Sequence, residues 1–190
     1  MAHSWNVGSR TLDLEYTRPN GGAARLSDLW AEGPAMLVWL RHCGCVFFQE
    51  ALTELREEAP RFAERGVQLA CIVQARPEEV RSVCGAELHC IPDPRFATHT
   101  ALGLGRMSVW GLITSLAFHR RRAAASRAGF RQNWRRTFAR ESDTRRLPGA
   151  VLVARGGRIL WLHRGEHAGD LPPSGDLLAV ASEFATGPRF

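Results

Sequence analysis

The chain has 190 residues, 45% hydrophobic and 23% charged, with a formal net charge of +6. That length suits one domain spanning residues 1–190 with a sizeable core. No apolar run approaches the roughly 18 residues of a spanning helix, and residues 1–6 lack the charged and apolar blocks of a secretion signal, so the expectation is a cytoplasmic protein with no membrane association.

In that compartment cysteines stay mostly reduced. Five of them argue for chemistry or burial rather than for a disulfide scaffold. Thr11-Leu12-Asp13-Leu14-Glu15-Tyr16 alternates like a half-buried strand, and Asn20-Gly21-Gly22 is turn chemistry. Ser27 is placed to cap a short turn through Leu29 and Trp30. Ala35 to Leu40 then reads as a buried strand that breaks at Arg41-His42-Cys43-Gly44-Cys45. Phe48, Leu52, Leu55, Ala59 and Phe62 repeat at helical spacing, and Gly66 is placed to end that helix. Val67 to Val73 reads as a second buried strand. Pro77-Glu78-Glu79 opens a short helix, with proline in the first turn and acids at the positive end. Leu88 to Ile91 is a brief strand, and Asp93-Pro94 starts a short helix through Leu102. After residues 106–146, the runs Ala150 to Ala154 and Arg158 to His163 flank Arg155-Gly156-Gly157, a hairpin signal. A last helix spans Ser174 to Phe184. Strand–helix–strand units followed by a hairpin and a helix predict a three-layer α/β/α sandwich with a mixed central sheet.

Cys45 is the position that speaks of chemistry. It lies where the strand turns into the amphipathic helix, so the helix aims free backbone N–H groups and its positive end at the thiol. That setting favours the thiolate, the reactive form of cysteine. Arg41 stays charged at any working pH and is the better anion-stabilising neighbour. His42 is read either as a substrate hydrogen-bonding group or thiolate-stabilising cation, or as a loop histidine bonded to backbone.

The words around these positions resemble a known family. Val38-Trp39-Leu40-Arg41-His42-Cys43-Gly44-Cys45 is similar to the strand–Arg-His-x-x-Cys signature of the peroxiredoxin-like branch of the alkyl hydroperoxide reductase/thiol-specific antioxidant family. Leu147-Pro148-Gly149-Ala150 with Gly156-Gly157-Arg158-Ile159 resembles that branch's second half, as does His163 to Asp170 followed by Pro172-Pro173. The resemblance implies a thioredoxin-like fold and thiol redox chemistry, with Cys45 as the attacking cysteine. It implies that Pro148 is the proline often held in cis facing that cysteine. Two departures stand out. His42 occupies the place of the usual peroxide-orienting threonine, and Phe48 that of the second cysteine of a Cys-x-x-Cys pair.

A resolving thiol is therefore sought elsewhere. Cys43 is two residues from Cys45, where a ring would be strained. Cys84 or Cys90 would need local unfolding to reach it, and Cys71 reads as core. A zinc site from His42, Cys43, Cys45, His89 and Cys90 lacks ligand spacing, so no metal or cofactor is expected.

Every formally charged base is an arginine, and residues 106–146 hold eleven of them against Glu141 and Asp143, a net of +9 that leaves −3 for the rest. Trp110, Leu112, Ile113, Leu116, Phe118, Phe130, Trp134 and Phe138 interleave with these arginines, as in amphipathic helices. The segment reads as a helical insertion that packs its aromatics at the active-site edge, rather than as a membrane or nucleic-acid surface.

The resulting expectation is a thiol peroxidase or thiol–disulfide oxidoreductase. Cys45, Cys43, Arg41 and His42 form its catalytic set, and Pro148, Trp39, Trp110 and Phe48 line its substrate site. The partners expected are a peroxide or hydrophobic substrate, an external thiol and a possible second copy of the chain. The alternatives are a specialised secondary-metabolism enzyme acting on a bulky lipid-like or polycyclic substrate, and a non-catalytic anion-binding module.

Overall fold

The structure, a computed structural model, describes residues 5–85, 87–108, 110, 116–137 and 142–186. A five-stranded sheet runs in the order β5-β4-β3-β6-β7, built from β3 (Ala35–Trp39), β4 (Gln68–Val73), β5 (His89–Pro92), β6 (Gly149–Val153) and β7 (Ile159–Arg164). The pairs β3–β4 and β4–β5 are parallel, while β3–β6 and β6–β7 are antiparallel. The fold is thus a thioredoxin-like mixed sheet. The central strands are apolar throughout because both faces are covered; every residue of β3 and β6 is buried.

Alternation along β3 assigns its side chains to two cores. Met36, Val38 and Leu40 face the layer holding α1 (Val46–Glu64) and the last helix, α6 (Ser174–Thr186). Leu37 and Trp39 face the other layer, with the 3₁₀ turn Leu26–Trp30, Trp5 and the helix α3 (Ala97–Leu102). A third helix, α2 (Pro77–Cys84), adds Val80 and Cys84 to the first core.

The N-terminal strand is shorter than its alternation predicts. β1 covers Glu15–Thr17 and pairs with β2, Ala23–Arg25. Upstream, Thr11 is drawn to the hairpin instead, its N–H donating to Gly157 O at 2.8 Å. The Asp13 carboxylate accepts the Arg25 Nε–H at 2.6 Å and the Ser27 N–H at 3.0 Å. Ser27 does not cap the turn; the Asp28 carboxylate receives the Arg25 N–H at its start.

The expectation of reduced cysteines is corrected in one place. Cys84 and Cys90 form a disulfide that ties the end of α2 to β5, their Cα atoms 6.4 Å apart. Gly85 at φ 68° makes the tight return that brings them together. Neither is therefore a thiol poised to resolve Cys45. Cys43, Cys45 and Cys71 are free and buried.

The arginine-rich stretch leaves the sheet and returns to it at one place, a bridge between Arg106 and Arg146. Within it lie α4 (Leu116–Arg127) and the short α5 (Trp134–Thr137). Ala125 of α4 is fully buried in the first core, and Phe130 packs against that core. Leu112, Ile113 and Phe138 fall outside the described residues, as do the side chains of Leu116 and Phe118.

Candidate active site

Cys45 is the N-cap residue of the 19-residue α1, in extended conformation at φ −80°, ψ 141°. Its N–H donates to His42 O at 2.9 Å, closing the turn that ends β3. The thiol therefore sits at the positive end of a long helix, as the hydrophobic spacing implies. It is buried.

Arg41 supplies the charge. The residue is 4% exposed. Nε donates to Cys45 Sγ at 3.4 Å, Nη1 to Arg146 O at 2.7 Å and Nη2 to Thr144 O at 2.6 Å. Among the described residues no carboxylate lies within ion-pair distance of it. Buried charges are normally paired, and Sγ is the contact of Arg41 that can carry a negative charge.

His42 is not a cation. Burial, then the neighbouring Arg41 charge, depress its ring to about 3, with Asp143 pulling weakly the other way. Its Nδ1 is buried without a hydrogen-bond partner among the described residues. Of the two roles weighed for it, charge stabilisation of the thiolate is thereby removed. Cys43 is pushed up to about 12 by burial, with Glu79 adding to the effect and Arg136 opposing it. Full burial holds Cys71 at about 12 as well. Both remain thiols.

The residues assigned to substrate lie in different places. Pro148 lines a small cavity of about 30 Å³ with Leu40, Arg41, Phe47 and Arg121. No peptide bond among the described residues is cis, so the Leu147–Pro148 bond is trans. The cis arrangement implied by the resemblance is not what this chain adopts; its backbone instead gives the Pro148 carbonyl to Gly165 N–H at 2.9 Å. Trp39 points into the opposite core, donating from Nε1 to Thr98 Oγ1 at 2.9 Å and meeting Trp5 edge-on at 5.8 Å. Strand alternation puts it there, because Leu40 takes the Cys45 side. Phe48 is buried in the first core. Trp110 is 74% exposed and lines neither cavity beside the cysteine turn.

What sequence reasoning missed is how the insertion seats on the turn. Asn133 N–H donates to Gly44 O at 2.9 Å. A Cβ on Gly44 would lie 2.4 Å from Thr137 N and Oγ1 and 2.5 Å from Asn133 O. Gln49 clasps Arg131 from both sides, donating to its carbonyl at 2.7 Å and accepting its N–H at 3.4 Å. Arg121 pairs with Glu50 at 2.7 Å. The one sequence signal for this seat is the glycine between the two cysteines.

The sequence profile of the AhpC/TSA antioxidant enzymes matches residues 54–167, well over half of the chain. The chain belongs to the AhpC/TSA family. The matched span begins after Cys45 and takes in Pro148 and the β6–β7 hairpin. A thioredoxin-like protein from Arabidopsis thaliana, AAED1, described as chloroplastic, is 28% identical over 182 residues, 89% of this chain and 68% of that protein. Among solved structures, peroxidoxin BcpB from Mycobacterium tuberculosis superposes with a TM-score of 0.61 at 16% identity, covering 93% of this chain and 96% of that one. A peroxiredoxin-like protein from Aquifex aeolicus gives 0.63 at 9% identity, over 95% and 88%. This AhpC/TSA member is thus a thiol-dependent oxidoreductase on a thioredoxin-like fold.

Proposed function

We propose that Cys45 is the nucleophile of a thiol peroxidase. The observation that carries this is the buried Arg41 guanidinium, which reaches Cys45 Sγ and has no carboxylate beside it among the described residues. As a thiolate, Cys45 supplies the counter-charge that a buried cation requires. Its sulfur attacks the terminal oxygen of a hydroperoxide ROOH. An S–O bond forms, the O–O bond breaks, and the alkoxide leaves and takes a proton from solvent to give ROH. Cys45 is left as sulfenic acid.

Return to the thiol needs two external thiols. The first condenses with the sulfenic acid, releasing water and forming a mixed disulfide; the second displaces it, leaving a disulfide of the reductant. Cys43 is ill suited to this step, because burial keeps it protonated and thiolate is the attacking form. Cys84 and Cys90 are already bonded to each other.

Intact mass after brief exposure to equimolar hydrogen peroxide tests the assignment. Wild type gains one oxygen, trapped by dimedone on the peptide holding Cys45, and Cys45→Ser gains none. Dimedone labelling that persists at Cys43 or Cys71 in Cys45→Ser would reject the assignment.

A further inference from the structure

We propose that the groove beneath α4 and α5 recognises organic hydroperoxides carrying an acid group, with Arg122 and Arg131 taking the anion. This rests on Cys45 being the peroxide-attacking thiol. The groove is open to solvent, has a volume of about 350 Å³ and is lined by residues that include Val46, Arg122, Phe130, Arg131, Gln132 and Trp134. That volume falls in the range of small-molecule sites. The cavity on the Pro148 side, at about 30 Å³, holds little more than a water molecule. A bulky peroxide therefore has room for its body in the groove and not beside Pro148.

The lining is amphiphilic. Phe130 and Trp134 give an apolar wall, and Trp134 is 58% exposed. Arg122 and Arg131 have no carboxylate within ion-pair distance among the described residues, whereas the adjacent Arg121 is committed to Glu50. A carboxylate matches the two-pronged donor geometry of a guanidinium. An apolar body with one acid group is what this combination fits.

The wall is also held in place before any ligand arrives. Gln49 fixes the Arg131 backbone, Gln132 Nε2 donates to Thr137 Oγ1 at 2.6 Å, and Asn133 is bonded to Gly44. Pre-ordering lowers the entropic cost of binding. Val46 of the lining follows Cys45 in the chain, and Gln132 and Trp134 of the lining flank Asn133, whose N–H donates to Gly44 O at 2.9 Å, so the groove adjoins the turn that carries the sulfur. The O–O bond is then cleaved as written above, the acid-bearing alcohol leaves, and the external thiols supply the two electrons.

Cumene hydroperoxide and its para-carboxylated analogue isolate the charge, since they share the same peroxide. Rates of Cys45 sulfenic acid formation are measured with both and with hydrogen peroxide, in the full chain and in Arg122→Gln/Arg131→Gln. The carboxylated peroxide is expected to react about tenfold faster than the neutral one in wild type, as one charge-assisted contact allows. In the double variant that advantage falls below about threefold, while the hydrogen peroxide rate changes less than about twofold; Arg122→Lys/Arg131→Lys recovers part of it. Calorimetry with 4-isopropylbenzoate, which has no peroxide, reads the groove without the chemistry. Binding that is lost in the double variant supports the groove even if Cys45 fails to oxidise, an outcome that would overturn the nucleophile instead. Equal rates for the two cumene peroxides, or 4-isopropylbenzoate binding unchanged in the double variant, would overturn the groove.

Discussion

Arg41 directs three N–H groups at three acceptors, one of them the reactive sulfur and two of them carbonyls of the returning insertion. A lysine keeps the charge but cannot reach three fixed acceptors from one planar fork. Arg41→Lys is therefore expected to slow Cys45 oxidation by about 10²-fold, the usual cost of one preorganised donor at a reacting centre, in stopped-flow measurements with hydrogen peroxide. It also leaves the Thr144 or Arg146 carbonyl unpaired, at a cost of about 1–3 kcal/mol. His42 makes a separate prediction about pH. The unfolded chain protonates it below its ordinary 6.5, the folded protein only near 3. Between those values the unfolded state holds more protons, so its contribution to stability is fully present above about 6.5 and is lost as pH falls through the window. The slope approaches about 1.4 kcal/mol per pH unit for one such group. Burial lowers His89 and His99 in the same direction. Urea midpoints from pH 7 to 4.5 should fall steeply in wild type and less steeply in His42→Asn; equal slopes would refute the buried neutral ring.

At the level of elements, α1 and the short α5 meet across Gly44. The alanine side chain in Gly44→Ala overlaps Thr137 and Asn133 backbone, which cannot swing aside as a flexible side-chain end can. The expected result is displacement of α5 and faster alkylation of Cys45 by a bulky maleimide than in wild type, with iodoacetamide, a small probe, affected less. The disulfide between α2 and β5 predicts the opposite split. Closing so short a loop is worth about 2 kcal/mol in the chain-entropy account, or roughly 5 °C in a domain of this size. Cys84→Ser/Cys90→Ser should melt about that much lower while Cys45 oxidises at an unchanged rate. The strands and helices that frame the site were legible because their apolar spacing is long and regular: β3, α1, β4 and the hairpin all stand where periodicity places them. The disulfide was not, because a separation of six residues gives no sign of whether Gly85 folds the chain back. Trp39 was misplaced for a simpler reason. Two neighbours on a strand face opposite ways, and a wholly apolar strand carries no mark of which face the cysteine turn serves.

Across the whole molecule, a sheet with two covered faces leaves its chemistry to the ends of its strands, and here β3 and the loop leading into β6 deliver Arg41 and Pro148 to the same end. That convergence was readable from the family-like words around each residue. The way residues 106–146 close over it was not, since their contacts with Gly44, Gln49 and Glu50 join positions about 70 or more residues apart. Charge divides along the same line, +9 in that segment against −3 elsewhere. Such a surface attracts any polyanion at low salt. Part of its apolar surface is spent on packing, however: Phe130 lies against the core and Ala125 is fully buried. Arg121 is spent too, on Glu50. A groove of about 350 Å³ does not offer an extended track for a phosphate backbone. Nucleic-acid binding should accordingly behave as counterion release alone, weakening with a log–log slope of about −0.9 per phosphate neutralised. In fluorescence anisotropy, a 20-base-pair duplex is expected to bind at 20 mM salt and to be released by 150 mM, without slowing the alkylation of Cys45. Tight duplex binding that survives 150 mM salt and shields Cys45 would instead make the arginine-rich segment a nucleic-acid surface.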